Sequence, residues 1–272
     1  MTENFGYGGF SPYRIGNRGW GAIIKSNELA EFFLSLFFDD LRQALPYMGN
    51  ASFKIDNKEN KAVAQRFKPK KFGSALVEPV IAPDAVEDVL ELLSIANNSI
   101  MIEQFYIYKY WGSRKHGSVE KTPNLFLEKV IDKARHGVKV RILLDAMWYN
   151  LDKSNPVSNY YTIKYVREIA EKEHLPIEIK LASKKKFKKL HAKGVIIDRS
   201  IVFISSINWN ENSPRRNREV GIIIYGEPAE YFAEVFEYDW EDKSSYPIVL
   251  ILLGAGFVII LSFWILRKRK IP

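Results

Sequence analysis

Residues 191–219 read HAKGVIIDRSIVFISSINWNENSPRRNRE, and this stretch decides the fold. His191 and Lys193 flank Ala192, so in an extended strand both side chains leave one face. An imidazole can attack phosphorus, and an ammonium group beside it can hold a non-bridging oxygen. Ser206 and Asn208 alternate in the same way and can donate to phosphate oxygens. Asp198 closes the apolar run GVIID. Glu219, after Asn217 and Arg218, opens another strand, where a carboxylate could fix an imidazole tautomer. The arrangement needs no metal or cofactor. His116, His136 and His174 fall in loop or helix-end settings and read as structural or solvent-exposed.

Around this stretch, apolar runs of strand length alternate with amphipathic ones of helix length. Strands are expected at 77–82, 99–108, 138–145, 177–181, 192–197, 201–205 and 220–225. Helices are expected at 85–96 after Asp84 as N-cap, at 124–135 closed by His136-Gly137, and at 157–172. Residues 42–75 are polar and lysine-rich and read as a connector. Strands alternating with helices predict an α/β sandwich on a mixed sheet.

A repeat extends the reading toward the N-terminus. Residues 17–40, NRGWGAIIKSNELAEFFLSLFFDD, match residues 217–240, NREVGIIIYGEPAEYFAEVFEYDW. Asn17, Arg18, Gly21, Ile23, Ile24, Phe32 and Asp39 coincide with Asn217, Arg218, Gly221, Ile223, Ile224, Phe232 and Asp239. Ala30, Glu31 and Phe37 fall one place out of step with Ala229, Glu230 and Phe236. Each copy reads as a short strand, a turn and an amphipathic helix, so the fold is expected to contain two related halves. Residues 1–5, MTENF, echo Ser206 to Trp209, and the first copy is expected to have its histidine upstream of Met1.

The pattern His-x-Lys, four residues, Asp, a strand, then Ser-x-Asn resembles the HKD motif of the phospholipase D superfamily, including cardiolipin synthase-like members. Ser205 stands where that pattern commonly has Gly. The resemblance covers 76–240, with 1–41 as the tail of a preceding half. It implies a mixed-sheet phospholipase D-like fold and a two-step exchange through a phosphohistidine on His191. Lys193, Ser206 and Asn208 would grip phosphate, and Asp198, Asn217 and Glu219 would support the site. A second histidine, from a homodimer or from the other half, would protonate the leaving group and then activate water or an alcohol.

Composition adds partners. The chain of 272 residues carries 40 Lys and Arg against 32 Asp and Glu, and the excess is concentrated at Lys184, Lys185, Lys186, Lys188 and Lys189 and at Arg267–Lys270. The first cluster suits an anionic substrate, whether a phospholipid headgroup or a nucleic-acid backbone. With no cysteine, thiolate catalysis and cysteine-ligated metal are excluded. Residues 247–266, PIVLILLGAGFVIILSFWIL, are uncharged and would make a helix about 30 Å long, the thickness of a bilayer core. Tyr246 and Trp264 suit its interfaces. The following basic tail, 267–272, predicts a cytoplasmic C-terminus, with a linker at 241–246 and the domain outside. That orientation requires an export signal upstream of this chain. A catalytically incomplete, membrane-tethered binding module is the non-enzymatic alternative.

Overall fold

The computed structural model describes residues 1–3, 16–46 and 67–241. The expected membrane span at 247–266, its basic tail and most of the connector lie outside these residues. No helix among the described residues is long and apolar enough to cross a membrane.

The elements alternate along the chain. They are β1 (Asn17–Arg18), α1 (Asn27–Gln43), β2 (Val77–Ala82), α2 (Val86–Ser94), β3 (Ser99–Gln104), α3 (Leu125–Arg135), β4 (Lys139–Leu144), α4 (Asn159–Glu173), β5 (Ile177–Leu181), β6 (Lys189–Leu190), β7 (Lys193–Ile197), β8 (Ile201–Ser205), α5 (Asn212–Arg215), β9 (Glu219–Tyr225) and α6 (Glu227–Trp240). Seven strands form one sheet in the order β2-β9-β8-β7-β3-β4-β5. β3, β4 and β5 run parallel, as crossover helices require, while β7, β8, β9 and β2 are antiparallel. The expected mixed α/β sheet is therefore present.

Both faces are covered, which is why the central strands β7 and β8 are buried almost throughout, whereas the edge strand β5, IEIKL, alternates. Ile100, Ile102, Val140, Ile142, Val195 and Ile197 face α2, α3 and α4. Met101, Leu143, Ile196, Val202, Ile204 and Ile224 face α6. Asn124 caps α3 by accepting from the amides of Phe126 and Leu127. Asp84 is not the N-cap of α2: its φ is +80°, and Ala85 occupies that position. β3 ends at Gln104, four residues before the expected boundary, because the Phe105 amide turns to the Ala192 carbonyl.

The two copies of the repeat fold differently. In the second, β9 is paired on both sides and α6 buries Phe232 and Phe236. In the first, only Asn17 and Arg18 are extended, paired in parallel with β6, and the strand expected beyond them does not form. Among the described residues no strand lies alongside 19–25 to complete a ladder. Helix α1 buries none of its residues, and Phe37, Leu34 and Leu41 are more than half exposed.

Candidate active site

The site lies at one end of the sheet, where β3, β4 and β8 finish and β7 and β9 begin. His191 sits just before β7. Its amide donates to the Arg18 carbonyl at 2.8 Å, so the short β1–β6 pairing carries the first copy of the repeat directly to the imidazole. Trp20 continues this contact across β7. A Cβ on Gly194 would lie 2.1 Å from the Trp20 ring, so only glycine admits the indole there.

His191 and Lys193 are both buried and meet on one face, as their alternation predicts. Lys193 Nζ lies 3.0 Å from Nδ1 and 3.1 Å from Nε2 of His191, and donates to the carbonyls of His191 and Thr2 at 2.9 and 3.1 Å. His191 Nδ1 lies 3.1 Å from the Thr2 carbonyl and 3.4 Å from Glu3 Oε2. Both of those groups accept only and so favour a proton on Nδ1, while Lys193, a donor only and within 3.1 Å of Nε2, can donate to a lone pair there. The Phe105 ring packs against the imidazole at 4.7 Å. Burial lowers the Lys193 pKa to about 7, even though Glu3 and Glu219 favour its charged form. Burial alone would raise the Glu3 carboxyl, but His191, Asn17 and Lys193 outweigh it and hold the group below its ordinary value.

Ser206 and Asn208 follow β8 into the same corner. The Ser206 amide donates to the Val220 carbonyl at 2.9 Å and its Oγ accepts from the Val220 amide at 3.0 Å, leaving the hydroxyl hydrogen to donate. The Asn208 amide donates to Ser213 Oγ at 2.9 Å, and the buried Asn208 Oδ1 has no hydrogen-bond partner among the described residues. Ser205, at the usual glycine position, is buried and donates to the Lys193 carbonyl at 3.2 Å, so its hydroxyl is absorbed by the strand pair.

Two supporting residues, Asp198 and Glu219, take other places than expected. Asp198 follows the far end of β7, about 16 Å along the strand from Lys193. There its carboxylate accepts from the amides of Asn97, Asn98 and Ser99 at 2.6–2.9 Å, fastening the β7–β8 turn to the start of β3. Glu219 does not orient His191. It accepts from Ser213 Oγ at 2.9 Å and from Asn217 Nδ2 at 3.3 Å. The carboxylate beside the imidazole is Glu3, which the expected site residues omitted, and it accepts from Asn17 Nδ2 at 3.2 Å.

Asp145, also absent from the expected set, ties the site to its rim. Its carboxylate accepts from the Leu190 amide at 2.8 Å, one residue before His191, and from Met147 N and Asn150 Nδ2 at 2.8 and 3.0 Å. The turn it braces presents Trp148, 75% exposed, and Tyr149. Ring centroids step from Trp148 to Tyr149 at 5.5 Å, to Phe105 at 6.2 Å and to His191 at 4.7 Å. Lys184, Lys188 and Lys189 lie beside Asp145 and Ala146, and Lys189 Nζ lies 5.2 Å from the Phe105 ring.

The profile of a family described as "Cardiolipin synthase, PLD-like domain" matches residues 89–240. The DISARM protein DrmC of Bacillus paralicheniformis is 26% identical over 142 residues, which are 51% of this chain and 49% of that protein. The chain thus spans about half the length of that curated relative. Among solved structures, the phospholipase D family member Nuc from Salmonella typhimurium superposes with a TM-score of 0.48 at 20% identity, over 61% of this chain and 95% of that one. Phosphatidylserine synthase from Haemophilus influenzae superposes with a TM-score of 0.45 at 16% identity, over 90% of this chain and 56% of that one.

Proposed function

The chain belongs to the family described as cardiolipin synthase, PLD-like domain, and on that premise we propose that it is a phosphodiesterase that works through a phosphohistidine on His191. The reading rests on one observation: Nδ1 is held by Thr2 and Glu3, which leaves Nε2 as the nucleophilic atom next to Lys193. Nε2 attacks phosphorus, a P–N bond forms and the P–O bond to the leaving group breaks. Lys193, Ser206 and Asn208 hold the non-bridging oxygens. The leaving oxygen takes a proton from an acid on a second motif-bearing half, from a second copy of the chain or a preceding segment. Water or an alcohol then attacks phosphorus, the P–N bond breaks and the diester is hydrolysed or transferred.

The rim favours a nucleic-acid strand as substrate. A graded series of rings running from solvent to the nucleophile offers stacking surfaces, and the lysines beside it suit a phosphate backbone. Phospholipid is the second reading. It is supported by the apolar run 247–266, which would tether the site at a bilayer with the basic tail in the cytoplasm and the domain outside. Purified full-length chain is assayed on single-stranded oligonucleotide and on anionic phospholipid vesicles. Cleavage of the oligonucleotide that falls with Trp148→Ala supports the first reading. Turnover of lipid alone, unaffected by Trp148→Ala, supports the second, and turnover of neither by chain supplied with a second half contradicts both. Retention of the chain in membranes through alkaline carbonate washing tests the tether, and release would exclude it.

A further inference from the structure

The two copies of the repeat diverge at one position beside the nucleophile. At a spacing of 200 residues Asn17 falls on Asn217 and Arg18 on Arg218, but Gly19 falls on Glu219. In the second copy Asn217 Nδ2 donates to Glu219 at 3.3 Å, a carboxylate two residues away. In the first copy Asn17 Nδ2 makes the same kind of bond at 3.2 Å, but to Glu3, fourteen residues away.

The backbone around Glu3 identifies where it stands. The Thr2 amide donates to the Trp20 carbonyl at 2.8 Å, and the Trp20 amide to Thr2 Oγ1 at 2.8 Å. Ser206 and Val220 make the same two bonds at 2.9 and 3.0 Å. Thr2 is therefore the first copy's Ser206, and Glu3 occupies the place of Ile207. The space is contested: a Cβ on residue 19 would lie 2.4 Å from Glu3 Cγ and 3.1 Å from Glu3 Oε1. A side chain at 19 and the observed position of Glu3 exclude one another.

We propose that the carboxylate of the first copy has moved from position 19 to position 3, that Gly19 is glycine so as to admit it, and that Glu3 is the positioning residue that holds His191 as its Nδ1–H tautomer. The proposal deepens the phosphohistidine reading and rests on it for its catalytic consequence, though the tautomer itself does not depend on that reading. Glu3 is buried with His191, so its negative charge bears on the ring through little water.

The test uses the full chain with imidazole nitrogens labelled, and His191→Asn assigns the His191 resonances among the four histidines. Wild type is expected to show the Nδ1–H tautomer. Glu3→Gln should mix the tautomers and lower kcat at least about tenfold with KM nearly unchanged, and Glu3→Asp should recover part of both. Gly19→Ala should displace Glu3 and reproduce Glu3→Gln, while Glu3→Ala with Gly19→Glu should regain the tautomer that Glu3→Ala loses. Melting curves separate misfolding from mispositioning, and Glu3→Gln, nearly isosteric, keeps the test decisive if the glycine variants fail to fold. A wild-type tautomer and kcat in Glu3→Gln would overturn the proposal. If wild type forms no phosphohistidine, the functional reading fails, and the nitrogen spectra alone decide the position of Glu3.

Discussion

Lys193 is the residue on which chemistry and stability pull apart. Its ammonium group is buried and its pKa is lowered to about 7, chiefly by that burial. In the unfolded chain a lysine keeps a proton up to about pH 10.4. Between these values the unfolded state binds more protons, so folding stability contributed by this group rises with pH from about 7 toward 10. Below pH 7 the penalty for the buried charge is fully present. Lys193→Met is thus expected to stabilise the fold by a few kcal/mol at pH 6, with the gain shrinking as pH approaches 10. Chemical denaturation of both proteins across that range checks it, and equal stability at pH 6 would contradict it. The same titration should make kcat/KM fall as pH rises through about 7, because the phosphate loses its ammonium partner. His191 and Lys193 were legible in the sequence because their pairing is local, two residues apart in an extended segment that enters β7. Glu3 was not, since 188 positions separate it from His191 and only the fold joins them.

At the scale of elements, legibility follows how locally each boundary is decided. β5, an alternating IEIKL, and β8, an apolar IVFIS, have the bounds that their sequences predict. β3 was overestimated because Phe105-Tyr-Ile-Tyr108 stays apolar after leaving the ladder, where Ile107 pairs with Trp209 instead. Asp198 shows the same limit in a site residue. Its place in the motif predicts a role near the histidine, whereas its carboxylate gathers three amides at the opposite end of β7. Asp198 adopts φ +50°, which asparagine tolerates. Asp198→Asn is therefore expected to destabilise the fold by about 1–3 kcal/mol through weakened amide contacts while leaving kcat within about twofold. Thermal melts and steady-state rates measure the two effects, and a large fall in kcat at full stability would return Asp198 to the chemistry.

Across the whole molecule the two copies of the repeat exchange contacts. Arg18 of the first copy pairs with Asp239 of the second at 2.6 Å, and Arg218 of the second pairs with Asp40 of the first at 2.7 Å. The exchange is reciprocal to within one residue, since Asp239 aligns with Asp39 and Arg218 takes the neighbouring Asp40. The settings differ. Asp239 is fully buried beside Glu103, whose carboxyl burial raises well above its ordinary pKa, with Asp239 adding to the effect. Arg218 and Asp40 are both about two-fifths exposed. Arg18→Ala, which strands an acidic group in the interior, is expected to cost about 3–5 kcal/mol, and Arg218→Ala less than about 1 kcal/mol. Denaturant titrations would expose any reversal of that order. The repeat itself was readable from sequence, but its unequal folding was not, because a strand forms only beside neighbours and the 19–25 segment has none among the described residues.

The proposed chemistry requires a covalent bond between phosphorus and His191. The decisive measurement quenches the full chain, supplied with a second motif-bearing half, during turnover of a slow phosphodiester substrate and maps the adduct by mass spectrometry under alkaline conditions that preserve phosphohistidine. The expected result is a single phosphoryl-ester adduct on the peptide bearing His191, absent from His191→Asn, which should also lack turnover. An adduct elsewhere, or wild-type turnover by His191→Asn, would contradict it.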